Sequence, residues 1–174
     1  MVPTFCELCF WKCGVLAHVA DLTGFVTGIA TLDLERTRSD VIRPAAWQTD
    51  SSIGPWGYNR NRPYVTPTRV IHELIDIVSK NGNLLLNLPL HPNGSLDDEE
   101  IAFLEDMGRW MSVNGESIYG TRGGPYEPGH WGVSTRKEKS VYLHVTQFWP
   151  GGVLELPPLP SKVISCSALT GGEP

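Results

Sequence analysis

The sequence predicts an α/β fold, a parallel sheet flanked by helices, followed by an unfinished antiparallel β-domain. Three observations carry this. Between residues 47 and 113 the apolar pattern reads strand, helix, strand, helix, and that alternation implies a parallel sheet with helices outside. The block NLLLNLPL at residues 83–90 is a continuous apolar run, as in a strand buried on both faces. After residue 135 short β-rich runs are separated by Pro-Gly-Gly and Pro-Pro turns. The 174 residues suffice for one domain at the usual size of roughly 100–200 residues. With 41% hydrophobic residues, a real core can form and wholesale disorder is excluded.

Each element has its own signal. Residues 1–24 show no clean period, and residues 25–34 (FVTGIATLDL) predict a short strand with a glycine break. Residues 35–46 are charged, end in Pro44-Ala45-Ala46 and predict a loop. WQTDSSIGPWGY, residues 47–58, predicts a strand running into a loop of the kind that carries function. Thr66 can cap a helix whose first position suits Pro67, and Val70, Ile71, Leu74, Ile75 and Val78 share one face of it. Asn81-Gly82 stops it, with Gly82 expected in the left-handed conformation. A second helix is expected after Ser95 as N-cap, with Asp97, Asp98 and Glu99 in its first turn. Ile101, Leu104, Met107 and Met111 form its apolar face, and Asn114-Gly115 ends it. Residues 140–149, 153–156 and 162–169 predict antiparallel strands.

Composition narrows the function. The net charge of −5 and the scattered Lys and Arg residues argue against a nucleic-acid partner. No apolar run reaches the roughly 20 residues of a membrane span, so no membrane partner is expected. The N-terminus is apolar, but Glu7 and Lys12 interrupt it and no positive charge precedes it, which makes a poor secretory signal. Cys6, Cys9 and Cys13 invite a metal reading with His18 as fourth ligand. No second CxxC or HxxxH completes it, so no metal is expected and the segment reads as thiol-bearing without a defined role. Cys166 stands far from the other three. Asn93-Gly94-Ser95 is a glycosylation sequon, usable only on the secretory path.

Three blocks, WQTDSSIGPWGYNRN, VIHELIDIVSKNGNLLLNLPLHPNGSL and LEDMGRWMSVNGESIYGT, occur in order between residues 47 and 121. Their order and spacing resemble the C-terminal part of the catalytic domain of α-L-fucosidases, glycoside hydrolase family 29, over roughly residues 28–150. The resemblance implies a partial (β/α)8 TIM-type barrel, its last βα units, followed by an incomplete antiparallel β-sandwich. In these terms residues 1–24 are unassigned, 25–125 belong to the barrel and 135–174 to the truncated sandwich. NLLLNL becomes the eighth strand, residues 97–113 its helix, and the residues before WGY the seventh strand. Such barrels place their sites at the C-terminal ends of the strands. The implied activity is cofactor-free, retaining hydrolysis of α-L-fucosyl linkages in fucosylated oligosaccharides or glycoconjugates. The family suggests a secreted, apoplastic or lysosomal setting. Half a barrel leaves sheet edges unpaired, so self-association into a homo-oligomer is expected.

Retaining cleavage needs two carboxyl groups about 5 Å apart, one a nucleophile and one an acid/base. The resemblance carries the acid/base role to Glu35, 12 residues before Trp47; read by itself, Glu35 is a solvated loop carboxylate paired with Arg36 or Arg38. The family's nucleophile lies in a Trp-x-Asp block before the acid/base, and no such block precedes Glu35; Asp21 and Asp33 lack that context. The chain is therefore expected to be incomplete and not to turn over substrate alone. Trp47 and Asp50 are the substrate-binding candidates. Trp47 can stack on sugar or, as a tryptophan there more often does, pack; Asp50 can bind a hydroxyl or cap a turn. Asn87 can orient substrate or, the favoured role, pair with backbone, and Glu116 reads as structural. His72 and His91 have no metal partner at useful spacing. Beside the enzyme stand two other readings: a non-catalytic fragment of the same lineage with at most weak sugar binding and, last, a small thiol or zinc module.

Overall fold

A computed structural model describes residues 2–5, 14–17, 31–61, 63–148 and 151–170. Cys6, Cys9, Cys13 and His18, and most of the strand expected over residues 25–34, lie outside the described residues. The chain forms two compact units, Met1–Asp33 and Leu34–Pro174. In the first, β1 (Val2–Phe5) pairs antiparallel with β2 (Gly14–Ala17), and β3 is the two-residue strand Leu32–Asp33.

The second unit is built around one parallel pair. β4 (Trp47–Ser52) runs beside β5 (Gly82–Asn87), with Trp47 opposite Gly82 and Ser52 opposite Asn87. Parallel neighbours need a long crossover, and α1 (Pro67–Ser79) supplies it. The α/β class read from the sequence is thus the observed one. Thr66 accepts the Arg69 N–H at 3.3 Å and Pro67 opens the helix, as the sequence predicts. Val70 packs with Ile53 and Phe103 in one core cluster, joined by Leu84, Leu86 and Leu88. Ile75 packs with Ile118 and Val133 in a second.

The helix stop differs from expectation. Lys80 is the C-cap and Asn81, at φ 65°, takes the left-handed conformation instead of Gly82. Gly82 begins β5, and a Cβ there would stand 2.6 Å from the Trp47 ring and 2.7 Å from Ile77. Glycine is needed for that close approach. Asparagine serves the turn better because its amide makes two bonds, donating to the Arg43 carbonyl and accepting the Gly123 N–H at 2.8 Å.

α2 (Asp98–Asn114) is capped by Asp97, not Ser95. Asp97 Oδ1 accepts the Glu100 N–H at 2.8 Å and Glu100 Oε2 accepts the Asp97 N–H at 2.9 Å, a reciprocal capping box. Ser95 instead bonds the Asn93 side chain. The packed face of α2 carries Phe103, Met107, Trp110 and Met111, whereas Ile101 and Leu104 lie on an exposed stripe.

Two further expectations are corrected. β5 is not buried on both faces: Leu84 and Leu86 point to the core, and Leu85 between them is 56% exposed. The antiparallel strands begin well before residue 140, as β6 (Arg122–Gly123), β7 (Gly132–Lys137) and β8 (Ser140–Val145) in one sheet. Residues 153–156 and 162–169 form no strand, and Ile164 is 96% exposed. Their β-branched composition finds no neighbouring ladder to join.

Two outcomes are expected. Gly82→Ala should cost about 1–3 kcal/mol in urea unfolding, because the added methyl must displace the Trp47 ring or Ile77. Asn83→Ala next door, at an exposed position, should stay within about 0.5 kcal/mol, and a Gly82→Ala midpoint equal to it would refute the close packing. The second outcome concerns His144 on β8. Burial pushes its pKa from 6.5 down to about 4, against a raising hydrogen bond with the Ser117 backbone. Its Nε2 lies 3.2 Å from Thr135 Oγ1, which donates to the Ser117 carbonyl at 2.7 Å. The folded state therefore stays neutral where the unfolded imidazole takes a proton. The stabilisation is complete above pH 6.5 and should fall away as pH drops toward 4. Urea midpoints across that window should decline more steeply in the native chain than in His144→Gln.

Candidate active site

Because β4 and β5 are parallel and in register, both end on the same side, at Ser52 and Asn87. Sites in parallel sheets lie off such strand ends. The Ser52 hydroxyl lies 3.0 Å from the Pro55 carbonyl and 3.2 Å from the Asn87 carbonyl, and it accepts from Asn87 Nδ2 at 2.9 Å. The same Nδ2 donates to the Trp56 carbonyl at 3.1 Å. Asn87 thus ties the loop after β4 to the end of β5 and pairs with backbone, the role favoured from its sequence context.

The segment after Leu34 is fastened along β4, short of that end. The Leu34 N–H donates to the Gln48 carbonyl and the Arg36 N–H to the Asp50 carbonyl, both at 2.9 Å. Between them Glu35, half-buried, accepts the Trp56 indole N–H on Oε1 at 3.1 Å. Arg36, at φ 51°, donates to the Gly54 carbonyl at 2.8 Å and lays its guanidinium 4.4 Å above the Trp56 ring centre. Arg38 pairs with Asp76 at 3.4 Å. Neither arginine forms the ion pair with Glu35 that the loop reading anticipates.

Further along the rim, Tyr58 and His91 face each other at 4.0 Å between ring centres. The Tyr64 hydroxyl donates to Asp97 Oδ2 at 2.7 Å. Burial, then Asp97, raise the Tyr64 phenol above its usual range, while the Glu100 backbone N–H chiefly holds the Asp97 carboxyl low. The pair stays neutral-to-ionised at ordinary pH and pins the loop before α1 to the start of α2.

The three candidates from sequence fall in different places. Glu35 lies beside the middle of β4, and its carboxyl reaches Trp56 in the loop after the strand. Asp50 lies on β4 opposite the exposed Leu85, half-buried with its Oδ1 shielded from solvent, two residues before Ser52. Trp47 sits at the other end of β4, 0% exposed, with its indole N–H donated to the Lys80 carbonyl at 2.8 Å and its ring against Gly82. It packs and offers no face to a sugar, which corrects its place among the substrate-binding candidates. Trp56, which holds Glu35, was visible only as an aromatic beside a Gly-Pro turn. From the sequence Arg36 reads only as a counter-ion. Asn87→Ala, which removes both bonds of Nδ2, should cost about 1–2 kcal/mol, as read by urea unfolding. An unchanged midpoint would mean that the clasp between the strand ends does not form.

A family model described as alpha-L-fucosidase matches residues 19–116. The plasma alpha-L-fucosidase of Homo sapiens is 33% identical over 117 residues, which are 62% of this chain and 25% of that protein. The alpha-L-fucosidase of Branchiostoma floridae is 30% identical over 152 residues, 80% of this chain and 31% of that one. Among solved structures, alpha-L-fucosidase isoenzyme 1 from Paenibacillus thiaminolyticus aligns with a TM-score of 0.65 at 30% identity, covering 68% of this chain and 30% of that one. The Bacteroides thetaiotaomicron enzyme, trapped as a covalent intermediate with 2-fluoro-fucosyl fluoride, aligns at 0.61 and 26% identity, covering 67% and 29%. This chain spans about a quarter of the length of the plasma enzymes it matches. The matched stretch contains the Glu35 loop, both parallel strands and both long helices, and the chain belongs to the α-L-fucosidase family.

Proposed function

We propose that this chain supplies the acid/base half of a retaining α-L-fucosidase that cleaves fucosyl linkages in glycans. The observation that carries the reading is the Glu35 carboxyl, held by the Trp56 indole at the C-terminal end of the parallel strands. The bond holds Oε1 and leaves Oε2 for proton transfer. In the first step Glu35 would protonate the glycosidic oxygen while a second carboxylate attacks the anomeric carbon. In the second it would take a proton from water as the sugar–carboxylate ester opens. The Bacteroides relative was trapped as its covalent intermediate in a Glu-to-Gln variant, which supports both the retaining route and a glutamate in this role.

In this reading residues 25–125 form the last βα units of a (β/α)8 barrel, and a partial β-sandwich covers 135–174. Asp50, half-buried on β4, would bind a sugar hydroxyl. The nucleophile would come from strands present in the longer relatives, and the exposed Leu85 would face the interior they complete. That open face favours a second reading of the isolated chain: alone it binds sugar weakly and does not catalyse, and its uncovered strands drive self-association.

The test joins this chain to the upstream barrel strands of a solved relative. Glu35→Ala should then lose most on poor leaving groups and less on activated aryl fucosides, with azide rescuing turnover. Equal loss on both, without rescue, would remove Glu35 from the role. The isolated chain should not turn over 4-nitrophenyl α-L-fucoside; turnover that vanishes in Asp50→Ala, with a fucosyl adduct on Asp50, would show that it carries its own nucleophile.

A further inference from the structure

A groove of about 500 Å³ lies between residues 36–38 and the first turns of α1. Arg36, Arg38 and Arg69 line it, with His72 and the lone carboxylate Glu73. Three guanidinium groups stand against Glu73 in the lining and Asp76, which pairs with Arg38, so the hollow stays net positive in a chain whose net charge is −5. Two of the arginines have fixed placements: Arg36 is held by Gly54 and Trp56, and Arg38, its side chain 49% exposed, by Asp76.

The helix adds an independent observation. Anions favour a helix N-terminus, and α2 follows that rule with Asp98, Glu99 and Glu100 in its first turn. α1 has no acidic residue in its first turn, and Arg69 stands there instead. The chain thus places a cation where the helix dipole disfavours one, and an anion bound in the groove would satisfy both. Planar guanidinium forks suit sulfate and carboxylate oxygens.

We propose that this groove is a subsite for an anionic substituent, a sulfate ester or carboxylate, on the leaving-group side of the fucosylated glycan. The proposal rests on the acid/base reading of Glu35, because an acid that protonates the glycosidic oxygen stands on that side of the cleaved bond. The groove begins at the next residue, Arg36.

The experiment titrates the 174-residue chain with sulfated fucan oligosaccharides, their desulfated counterparts and oligogalacturonate, by calorimetry. Sulfated or uronic oligosaccharide should bind at least about tenfold tighter than desulfated fucan, with affinity falling as salt rises. Whichever of the two binds identifies the anion. Arg38→Glu and Arg69→Gln should each weaken binding by about tenfold, while Glu73→Gln should tighten it, a gain that a folding defect cannot mimic. The titration reads binding and needs no turnover, so failure of the acid/base reading shows in the completed enzyme's leaving-group dependence and failure of the groove shows here. Equal binding of desulfated fucan, or Arg69→Gln and Glu73→Gln variants that bind like the native chain, would overturn the proposal.

Discussion

The Trp47 ring lies against Gly82, with its indole N–H bound to the Lys80 carbonyl, and the architecture of the larger unit depends on that contact. It fixes the first rung of the parallel pair. With Trp47 opposite Gly82, each later rung is set, and the last brings Ser52 opposite Asn87. A slip of one residue would turn Asp50 and Leu85 to opposite faces and break the clasp between the strand ends. Any side chain at position 82 would push the indole away, so the identity of one small residue at the bottom of the sheet determines the geometry at its top.

From that top the site assembles by short-range bonds. Asn87 holds the loop that carries Trp56, Trp56 holds the Glu35 carboxyl, and Arg36 covers the indole from above. The Glu35 loop is itself hydrogen-bonded to β4 through Leu34 and Arg36. In the proposed acid/base role such fixed placement matters, since proton transfer depends on distance before it depends on acidity. The neighbouring arginines make no salt bridge with Glu35: Arg38 pairs with Asp76, Arg36 donates to the Gly54 carbonyl, and both line the groove.

Much of this was legible in the residues. Thr66-Pro67 announced α1, the Leu84–Leu86 run announced β5, and three blocks announced the family. What stayed hidden depends on residues distant in sequence or on a choice among near neighbours. Whether Trp47 stacks on sugar or packs depends on residue 82, which lies 35 positions later. Asn81 and Gly82 can each take the left-handed turn, and the tryptophan opposite Gly82 together with the distant partners of the Asn81 amide decides between them. Ser95 and Asp97 are both good caps, and Glu100 returning its carboxylate selects Asp97. The strands expected at 153–156 and 162–169 have β-propensity without a partner ladder, and propensity alone does not make a strand. The arginines of the groove look scattered in the sequence, and folding brings Arg36, Arg38 and Arg69 together.

The central claim is that Glu35 stands where a retaining glycosidase needs its acid/base. The most direct measurement is a crystal structure of this chain completed by a relative's upstream strands, with a fucose-configured iminocyclitol bound. The Glu35 carboxyl should lie about 5 Å from the carboxylate across the sugar, with Trp56 still donating to it. A separation of about 6.5–9.5 Å, or a Glu35 turned away from the inhibitor, would contradict it.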